Sequence, residues 1–262
     1  MPRIMIDHHA VYYELSGCGD KTLMLFNGIT MSTAAWTFMQ PVLENHYRLL
    51  RLDFLGQGES DKPLTSHYPL ETQADIAAAL LDELGIERVY LAGLSYGGMV
   101  AQHFAHRHLQ RIDKLLLAAT LAWSDSVNRA LCDSWIAAEA AGGFDLRYTV
   151  SIPWLFSSRF LAAHAAMLPD LKRMAQLADW PSVIRLIEGI KLHDARTWLD
   201  TLRVPTKIIV GTEDRLTPRY QADLLQARIP GAELELLPGA GHVLHLEAVE
   251  AFCRAITGWC RP

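Results

Sequence analysis

Three polar residues that lie far apart in the chain, Ser95, Asp214 and His242, are the types that nucleophilic catalysis combines. A serine hydroxyl is a weak nucleophile at neutral pH, and it becomes reactive when a histidine accepts its proton. A carboxylate then holds the histidine in the correct tautomer and stabilises its charged form. The three residues indicate acyl transfer through a covalent serine intermediate, if the fold brings them together.

Ser95 is the candidate nucleophile because of its neighbours. It stands in a Gly-Leu-Ser-Tyr-Gly segment at 93–97, with an apolar strand-like run at 89–92 before it and a helical pattern after it. A serine at the apex of such a strand–turn–helix is a nucleophile elbow. Glycines two residues away on each side allow the close approach of strand and helix that the strained turn requires.

His242 is the candidate base. It ends the glycine-rich segment Pro-Gly-Ala-Gly-His at 238–242, which follows an expected strand at 232–237 and precedes the last helix. Loops at strand ends can direct a side chain towards a site outside the sheet. His245 is the alternative base, and it is expected to begin the last helix.

Asp214 is the candidate acid. It lies in Gly-Thr-Glu-Asp-Arg-Leu-Thr-Pro at 211–218, just past an expected strand at 206–211. Asp125 is the alternative, because a strand ending near Ala122 would bring this carboxylate towards the same histidine from a strand nearer the nucleophile. The neighbouring Glu213 is expected to face solvent.

Two backbone N–H groups are expected to stabilise the oxyanion of the tetrahedral intermediate. The N–H of Tyr96, directly after the nucleophile, is one donor. The other should come from the loop after the strand at 22–26, where Asn-Gly-Ile at 27–29 lets the backbone bend towards the site. Ile29 N–H is the preferred donor there, and Gly28 N–H is the second choice.

The histidines on the helix after the elbow suggest a metal site as an alternative. His103, His106 and His108 lie there, but no glutamate accompanies them at metalloprotease spacing. We therefore expect no metal site on this helix.

Short apolar runs alternate with helical patterns along the chain, which is typical of a mostly parallel sheet with helices on both faces. The interval 123–199 breaks this rhythm, because it contains helical stretches, no convincing strand and five of the seven tryptophans. We expect an α/β core at 1–122 and 200–262 with a helical cap insertion at 123–199. The expected strands are 11–15, 22–26, 47–53, 89–92, 114–119, 206–211 and 232–237, and the expected core helices are 70–84, 96–108, 218–228 and 245–259.

Composition excludes several classes of protein. The chain has 262 residues, half of them apolar, and 24 basic against 29 acidic residues give a net charge of −5. These values exclude a disordered chain and argue against a nucleic-acid binder driven by bulk charge. We expect no transmembrane span, because the uncharged stretches are broken by glycine and polar residues, and a cytoplasmic location, because the N-terminus has no secretory pattern. The four cysteines are expected to be reduced packing thiols.

The sequence resembles the α/β-hydrolase fold superfamily over essentially its whole length. The resemblance rests on the elbow at 93–98, the Gly-Thr-Glu-Asp segment at 211–214, the Gly-Ala-Gly-His loop at 239–242 and a turn at 53–60, which occur in the family's order. It implies an eight-stranded sheet with a helical cap and a Ser95–His242–Asp214 triad that needs no cofactor. The turn at 53–60 is expected to be structural, with its aspartate capping backbone amides.

The sequence is also similar to narrower groups within that superfamily. It looks like the enol-lactonase and carboxylesterase branch in overall pattern. Asn-Gly at 27–28 resembles intracellular polyhydroxyalkanoate depolymerases and 3-hydroxyacyl transferases, and 101–106 and 114–120 resemble the depolymerases. Many relatives carry His-Gly in place of this Asn-Gly.

The expected function is a serine hydrolase that cleaves a carboxylic ester, lactone or thioester of a small to medium acyl group through an acyl-enzyme. The expected partner is a small-molecule ester or acyl substrate. The alternative is an acyltransferase acting on 3-hydroxyacyl groups with the same triad, in which an alcohol or thiol replaces water. A catalytically inactive receptor or scaffold of the same fold is the third possibility.

Overall fold

The computed structural model describes residues 2–260, which form eight strands in one sheet. The strand order across the sheet is β1-β2-β4-β3-β5-β6-β7-β8. The strands are β1 (Arg3–Ile6), β2 (His9–Ser16), β3 (Thr22–Phe26), β4 (Arg48–Leu52), β5 (Val89–Leu94), β6 (Ile112–Ala118), β7 (Thr206–Gly211) and β8 (Glu233–Leu237).

The sheet is mostly parallel. Strand β2 pairs antiparallel with both β1 and β4, whereas every other neighbouring pair from β4 to β8 is parallel. The prediction of an eight-stranded, mostly parallel α/β sheet is confirmed. Strand β1 was not expected from the sequence, and β6 ends at Ala118 rather than near Ala122.

Helices cover both faces of this sheet. The described part of the chain has ten α-helices: α1 (Gln40–Leu43), α2 (Leu70–Glu83), α3 (Tyr96–Arg107), α4 (Ser126–Leu155), α5 (Ser158–Ala163), α6 (Leu168–Ala175), α7 (Trp180–Lys191), α8 (Arg219–Arg228), α9 (Leu244–Glu247) and α10 (Val249–Trp259). The single helix expected at 245–259 is therefore two helices, because Ala248 leaves the helical conformation at φ −137°.

Strand β3 shows how the two faces divide the core. All five of its residues are buried. Because successive side chains of a strand point to opposite faces, Leu23 and Leu25 pack in the cluster that includes α1 and α10. Met24 and Phe26 pack in the cluster that includes α2, α3 and α8.

The helices α4 to α7 lie between β6 and β7 in the chain, within 123–199. The long helix α4 is kinked at Gly142 and Gly143, and the latter has a φ of +62°. Apart from an isolated bridge between Trp123 and Asp194, this interval contains no β-structure. We refer to 123–199 below as the helical segment.

Two further expectations concern the surroundings of the protein. Among the helices described in residues 2–260, none has the length and apolarity needed to cross a bilayer. The cytoplasmic location stays a prediction. Cys132, Cys253 and Cys260 are buried free thiols, whereas Cys18 is exposed and does not pack in the core.

Candidate active site

Ser95 occupies a strained turn between β5 and α3. Its φ of +56° lies in a region that non-glycine residues rarely adopt. Hydrogen bonds hold the turn, because Ser95 N–H donates to the carbonyl of Ala118 over 2.8 Å and the Thr120 hydroxyl donates to the carbonyl of Ser95 over 2.7 Å. The end of β6 therefore fixes the conformation that presents the serine hydroxyl.

The two glycines around Ser95 are required by close backbone contacts. A Cβ atom at Gly97 would lie 2.3 Å from the carbonyl oxygen of Phe26, and one at Gly93 would lie 2.4 Å from the carbonyl oxygen of Gly97. Both obstacles are backbone atoms, which cannot move aside as a flexible side chain can. The spacing of the motif thus has a steric cause in this structure.

His242 lies within hydrogen-bond distance of both Ser95 and Asp214. Nε2 of His242 is 2.9 Å from Oγ of Ser95, and Nδ1 of His242 is 3.0 Å from Oδ2 of Asp214. Asp214 follows β7, and His242 lies in the loop after β8. The fold therefore brings Ser95 together with two residues that lie more than a hundred positions further along the chain, at the carboxyl ends of three parallel strands.

Three further hydrogen bonds orient the Asp214 carboxylate. Oδ1 accepts from the N–H groups of Leu216 and Thr217 at 2.9 and 2.8 Å, and Oδ2 accepts from the Thr217 hydroxyl at 2.6 Å. The Thr217 Oγ1 atom also lies 3.2 Å from Nδ1 of His242. Sequence reasoning missed Thr217, although its position three residues after a candidate acid at a helix start is a signal that could have found it.

The alternative acid is elsewhere and has other partners. Asp125 caps the N-terminus of α4 by accepting from Asn128 N–H at 2.9 Å, and it accepts hydrogen bonds from Tyr220 and Gln221. Burial alone would raise the pKa of Asp125, but the hydrogen bond from Tyr220 and the others hold it below its ordinary value. These contacts explain Asp125 as a structural carboxylate.

The alternative base and the neighbouring acid also differ from the expectations. His245 lies within α9, and within residues 2–260 its Nδ1 has no hydrogen-bond partner. Burial lowers the pKa of His245 to about 3. Glu213 does not simply face solvent, because it is half-buried and accepts from Ser158 N–H over 3.3 Å at the start of α5.

The expected oxyanion donors differ in their availability. Within residues 2–260 neither Ile29 N–H nor Tyr96 N–H has an acceptor. Gly28 N–H, the second choice, instead donates to the sulfur of Met31 over 3.1 Å. The arrangement favours Ile29 over Gly28 as a donor from this loop. Tyr96 is the first residue of α3, so the positive end of the α3 dipole lies at its N–H group.

Buried polar side chains fix the loop that carries Ile29. Gln57 Nε2 donates to the carbonyls of Gly28 and Ile29 at 2.8 and 3.1 Å, and Asn27 Nδ2 donates to the carbonyl of Leu52 at 2.8 Å. Asp53 accepts from the N–H groups of Thr33 and Glu59, as expected for a structural turn. Burial raises the pKa of Asp53.

A cavity of about 680 Å³ opens beside these groups, and Ser95, Ile29 and His242 are part of its wall. The opposite wall comes from α4, α6 and α7 of the helical segment, and it is mostly apolar. The helical segment also contacts the base directly, because His242 N–H donates to the carbonyl of Leu155 at the end of α4 over 3.0 Å.

The two histidines of α3, and His108 directly after it, have partners other than a metal. His103 contacts His193, His106 stacks on Trp198, and His108 contacts Asp75. In the part of the chain that the structure describes, no group of three or more histidine, cysteine, aspartate and glutamate side chains is placed to hold a metal ion.

Comparison with known proteins identifies the family. The model of the alpha/beta hydrolase family matches residues 23–255, which is most of the chain. The chain belongs to the alpha/beta hydrolase family. The family model spans all the strands from β3 to β8, the helical segment and the loops that carry Ser95, Asp214 and His242.

Individual members of the alpha/beta hydrolase family are similar over nearly the whole chain. A putative carbamate hydrolase RutD from Caulobacter sp. is 27% identical over 252 residues, covering 94% of this chain and 94% of that protein. MGS-M2, an alpha/beta hydrolase enzyme from a Medee basin deep-sea metagenome library, has a TM-score of 0.94 at 28% identity, covering 98% and 96% of the two chains. A thermophilic esterase from Thermogutta terrifontis has a TM-score of 0.89 at 25% identity, covering 99% and 98%. These similarities support a hydrolase.

Proposed function

We propose that this protein is a serine hydrolase that cleaves carboxylic esters through a covalent acyl-enzyme. The observation that carries the proposal is the continuous set of short contacts from Ser95 through His242 to Asp214 at the wall of a large cavity. A serine alone would not suffice, because its hydroxyl needs a base within hydrogen-bond reach.

In the proposed mechanism, Oγ of Ser95 attacks the ester carbonyl while Nε2 of His242 takes the hydroxyl proton. Asp214 accepts a hydrogen bond from Nδ1 and stabilises the imidazolium. The N–H groups of Ile29 and Tyr96 donate to the oxyanion of the tetrahedral intermediate. The intermediate then breaks its bond to the alcohol oxygen, and His242 returns the proton to the leaving alcohol.

Water completes the cycle. His242 takes a proton from a water molecule, and the resulting oxygen nucleophile attacks the acyl-enzyme to form a second tetrahedral intermediate. This intermediate releases the carboxylic acid, and Ser95 recovers its proton from His242. The protein returns to its starting state, and the net reaction consumes one ester and one water and yields an acid and an alcohol.

We propose that the helical segment 123–199 is a cap on a core formed by 1–122 and 200–262, and that the acyl group lies beneath it. The apolar wall provided by α4, α6 and α7 supports this placement. A cavity of about 680 Å³ is in the range of small-molecule sites and fits a small to medium acyl group. The relatives named as a carbamate hydrolase and an esterase support hydrolysis at a carbonyl carbon.

A panel of p-nitrophenyl esters of increasing acyl length tests the proposal. The protein should release p-nitrophenol from the short and medium esters, and Ser95→Ala should abolish the release. Product analysis with an added alcohol separates hydrolysis from the acyltransferase alternative, because transfer would yield a new ester at a faster turnover. Equal hydrolysis by wild type and Ser95→Ala would overturn the proposal.

A further inference from the structure

A buried arginine lies in the apolar wall of the same cavity. Arg147 of α4 is only 7% exposed, and it lines the cavity together with Ser95 and His242. The desolvation of a buried charge is expensive, so arginine is rarely buried without a specific set of partners. The mechanism proposed above does not use this residue.

The contacts of Arg147 fix the guanidinium group but use only one of its nitrogens as a donor. Nε donates to Glu139 over 2.7 Å, and the guanidinium carbon lies 3.8 Å from the ring centroid of Trp180. Within residues 2–260 the two Nη atoms have no hydrogen-bond acceptor, and they are not among the fully buried atoms that lack a partner. They therefore keep some accessible surface, and Arg147 is part of the cavity wall.

The partners of the other charged groups in the cavity wall favour the binding of an anion there. Glu59 is paired with Arg3, and Asp179 accepts from Ser182 N–H at the start of α7. Lys62 contributes a second cation, whose Nζ donates only to backbone carbonyls. Each of these acidic groups already has a partner, whereas the two Nη atoms of Arg147 have none within residues 2–260.

Arg147 lies on the same helix as the carbonyl that contacts His242. It lies eight residues before Leu155, whose carbonyl accepts from His242 N–H. At a rise of about 1.5 Å per residue, the two backbone positions are about 12 Å apart along α4. The Arg147 backbone therefore lies about two helical turns before the end of α4 that contacts His242.

We infer that Arg147 binds a carboxylate at the far end of the acyl group, so that the preferred substrates are half-esters of dicarboxylic acids. The inference rests on the proposed function and names its substrate class. The two free Nη atoms match the two oxygens of a carboxylate. A phosphate dianion fits less well, because Glu139 already offsets part of the charge of the arginine.

Matched pairs of esters test the inference. Mono-p-nitrophenyl esters of five- to eight-carbon dicarboxylic acids are compared with the corresponding p-nitrophenyl methyl diesters, in which a methyl group replaces the negative charge. Wild type should show the higher kcat/KM on the half-ester of the best chain length. The ratio of kcat/KM on the half-ester to kcat/KM on the diester should fall by about tenfold or more in Arg147→Gln, because a charge-assisted hydrogen bond is lost.

Three further variants separate recognition from structure. Glu139→Gln should raise the ratio, because it removes the negative charge that offsets Arg147. Arg147→Lys should give an intermediate ratio, because lysine keeps the positive charge but lacks the two parallel N–H donors of a guanidinium group. Arg173→Gln, an exposed arginine of α6 paired with Asp170, should leave the ratio as in wild type. Because each ratio is measured within one preparation, partial unfolding of a variant cancels.

The outcomes distinguish the two proposals. A wild-type protein that prefers the neutral diesters, or an equal ratio in wild type and Arg147→Gln, overturns the inference and leaves the proposed function intact. If neither kind of ester is hydrolysed and a fluorophosphonate does not label Ser95, the proposed function fails and the inference fails with it.

Discussion

Thr217 donates its hydroxyl hydrogen to Oδ2 of Asp214 over 2.6 Å, and the same oxygen faces Nδ1 of His242 at 3.0 Å. With two backbone N–H groups on Oδ1, the carboxylate is held by the turn that directly follows it. A carboxylate fixed in this way keeps the imidazole oriented towards Ser95. Thr217 is therefore a positioning residue in the proposed mechanism.

Thr217→Val should lower kcat about 3- to 10-fold, because one hydrogen bond to a charged group is lost while the shape of the side chain is kept. KM should change little, since Thr217 does not line the cavity. Steady-state kinetics on a p-nitrophenyl ester measures both values. Thr217→Ser should restore most of the activity, and a Val variant as fast as wild type would contradict the positioning role.

Asp214 and Asp125 should respond differently to substitution. Asp214→Asn should lower kcat on the order of a thousandfold or more, because an amide does not stabilise the imidazolium or select its tautomer. Asp125→Ala should instead cost about 1 kcal/mol of stability through the lost cap of α4, with activity largely kept. Kinetics together with urea unfolding measures both effects. A larger loss of activity in Asp125→Ala than in Asp214→Asn would reverse the assignment.

The sequence was sufficient to predict the parallel sheet because buried strands such as β3 and β7 are short apolar runs between turn residues, and both have the expected bounds. It did not reveal β1, which is a four-residue edge strand that pairs only with β2 and in which only Ile6 is buried. It also extended β6 too far. The apolar run continues to Ala122, but Ala119 has a φ of +44°, and this conformation ends the strand.

Candidate site residues could be predicted where a residue type suited to catalysis lies at the end of an expected strand. Ser95, Asp214 and His242 meet that condition, and the structure places them in contact. Thr217 and Arg147 do not, because their importance depends on contacts that local sequence does not encode. Arg147 lies within a long helix with no motif around it, and only the packing of α4 against the cavity distinguishes it from a surface arginine.

Gly97→Ala should destabilise the protein by about 1 to 3 kcal/mol, because its Cβ would meet the backbone oxygen of Phe26 at 2.3 Å. Activity should fall as well, since Phe26 leads into the loop that carries Ile29. Gly258→Ala is the matched control, because no atom outside its chain neighbours and the backbone of α10 lies within 4 Å of its Cβ position. It should be neutral or stabilising by up to about 1 kcal/mol. Thermal unfolding that ranks the two variants in the opposite order would contradict the steric argument.

A buried histidine pair predicts a pH dependence of stability. Nε2 of His103 lies 3.1 Å from Nδ1 of His193. Burial lowers the pKa of His103 from 6.5 to about 4, although Glu71 acts in the opposite direction, and burial lowers the pKa of His193 to about 3. Between pH 6.5 and 4 the unfolded chain therefore binds more protons at these positions than the folded protein does. Their contribution to the free energy of unfolding is full above pH 6.5 and is lost as the pH falls through this window.

His103→Gln tests this dependence, because the amide can keep a donor near the position of Nε2 while it does not titrate. Between pH 7.5 and 5.5, wild type should lose about 1 kcal/mol more of its free energy of unfolding than this variant does. His46→Gln, at an exposed position, should behave as wild type. Urea unfolding at the two pH values supplies the comparison, and an identical loss in wild type and His103→Gln would refute the assignment.

Trapping the acyl-enzyme tests the central claim most directly. The protein is mixed with a p-nitrophenyl ester, quenched in acid within the first turnovers and examined by intact mass spectrometry and peptide mapping. The account predicts that wild type shows a burst of p-nitrophenol with one acyl adduct on Ser95, and that Ser95→Ala shows no adduct. An adduct on a different residue, or ester turnover by Ser95→Ala at the wild-type rate, would contradict it.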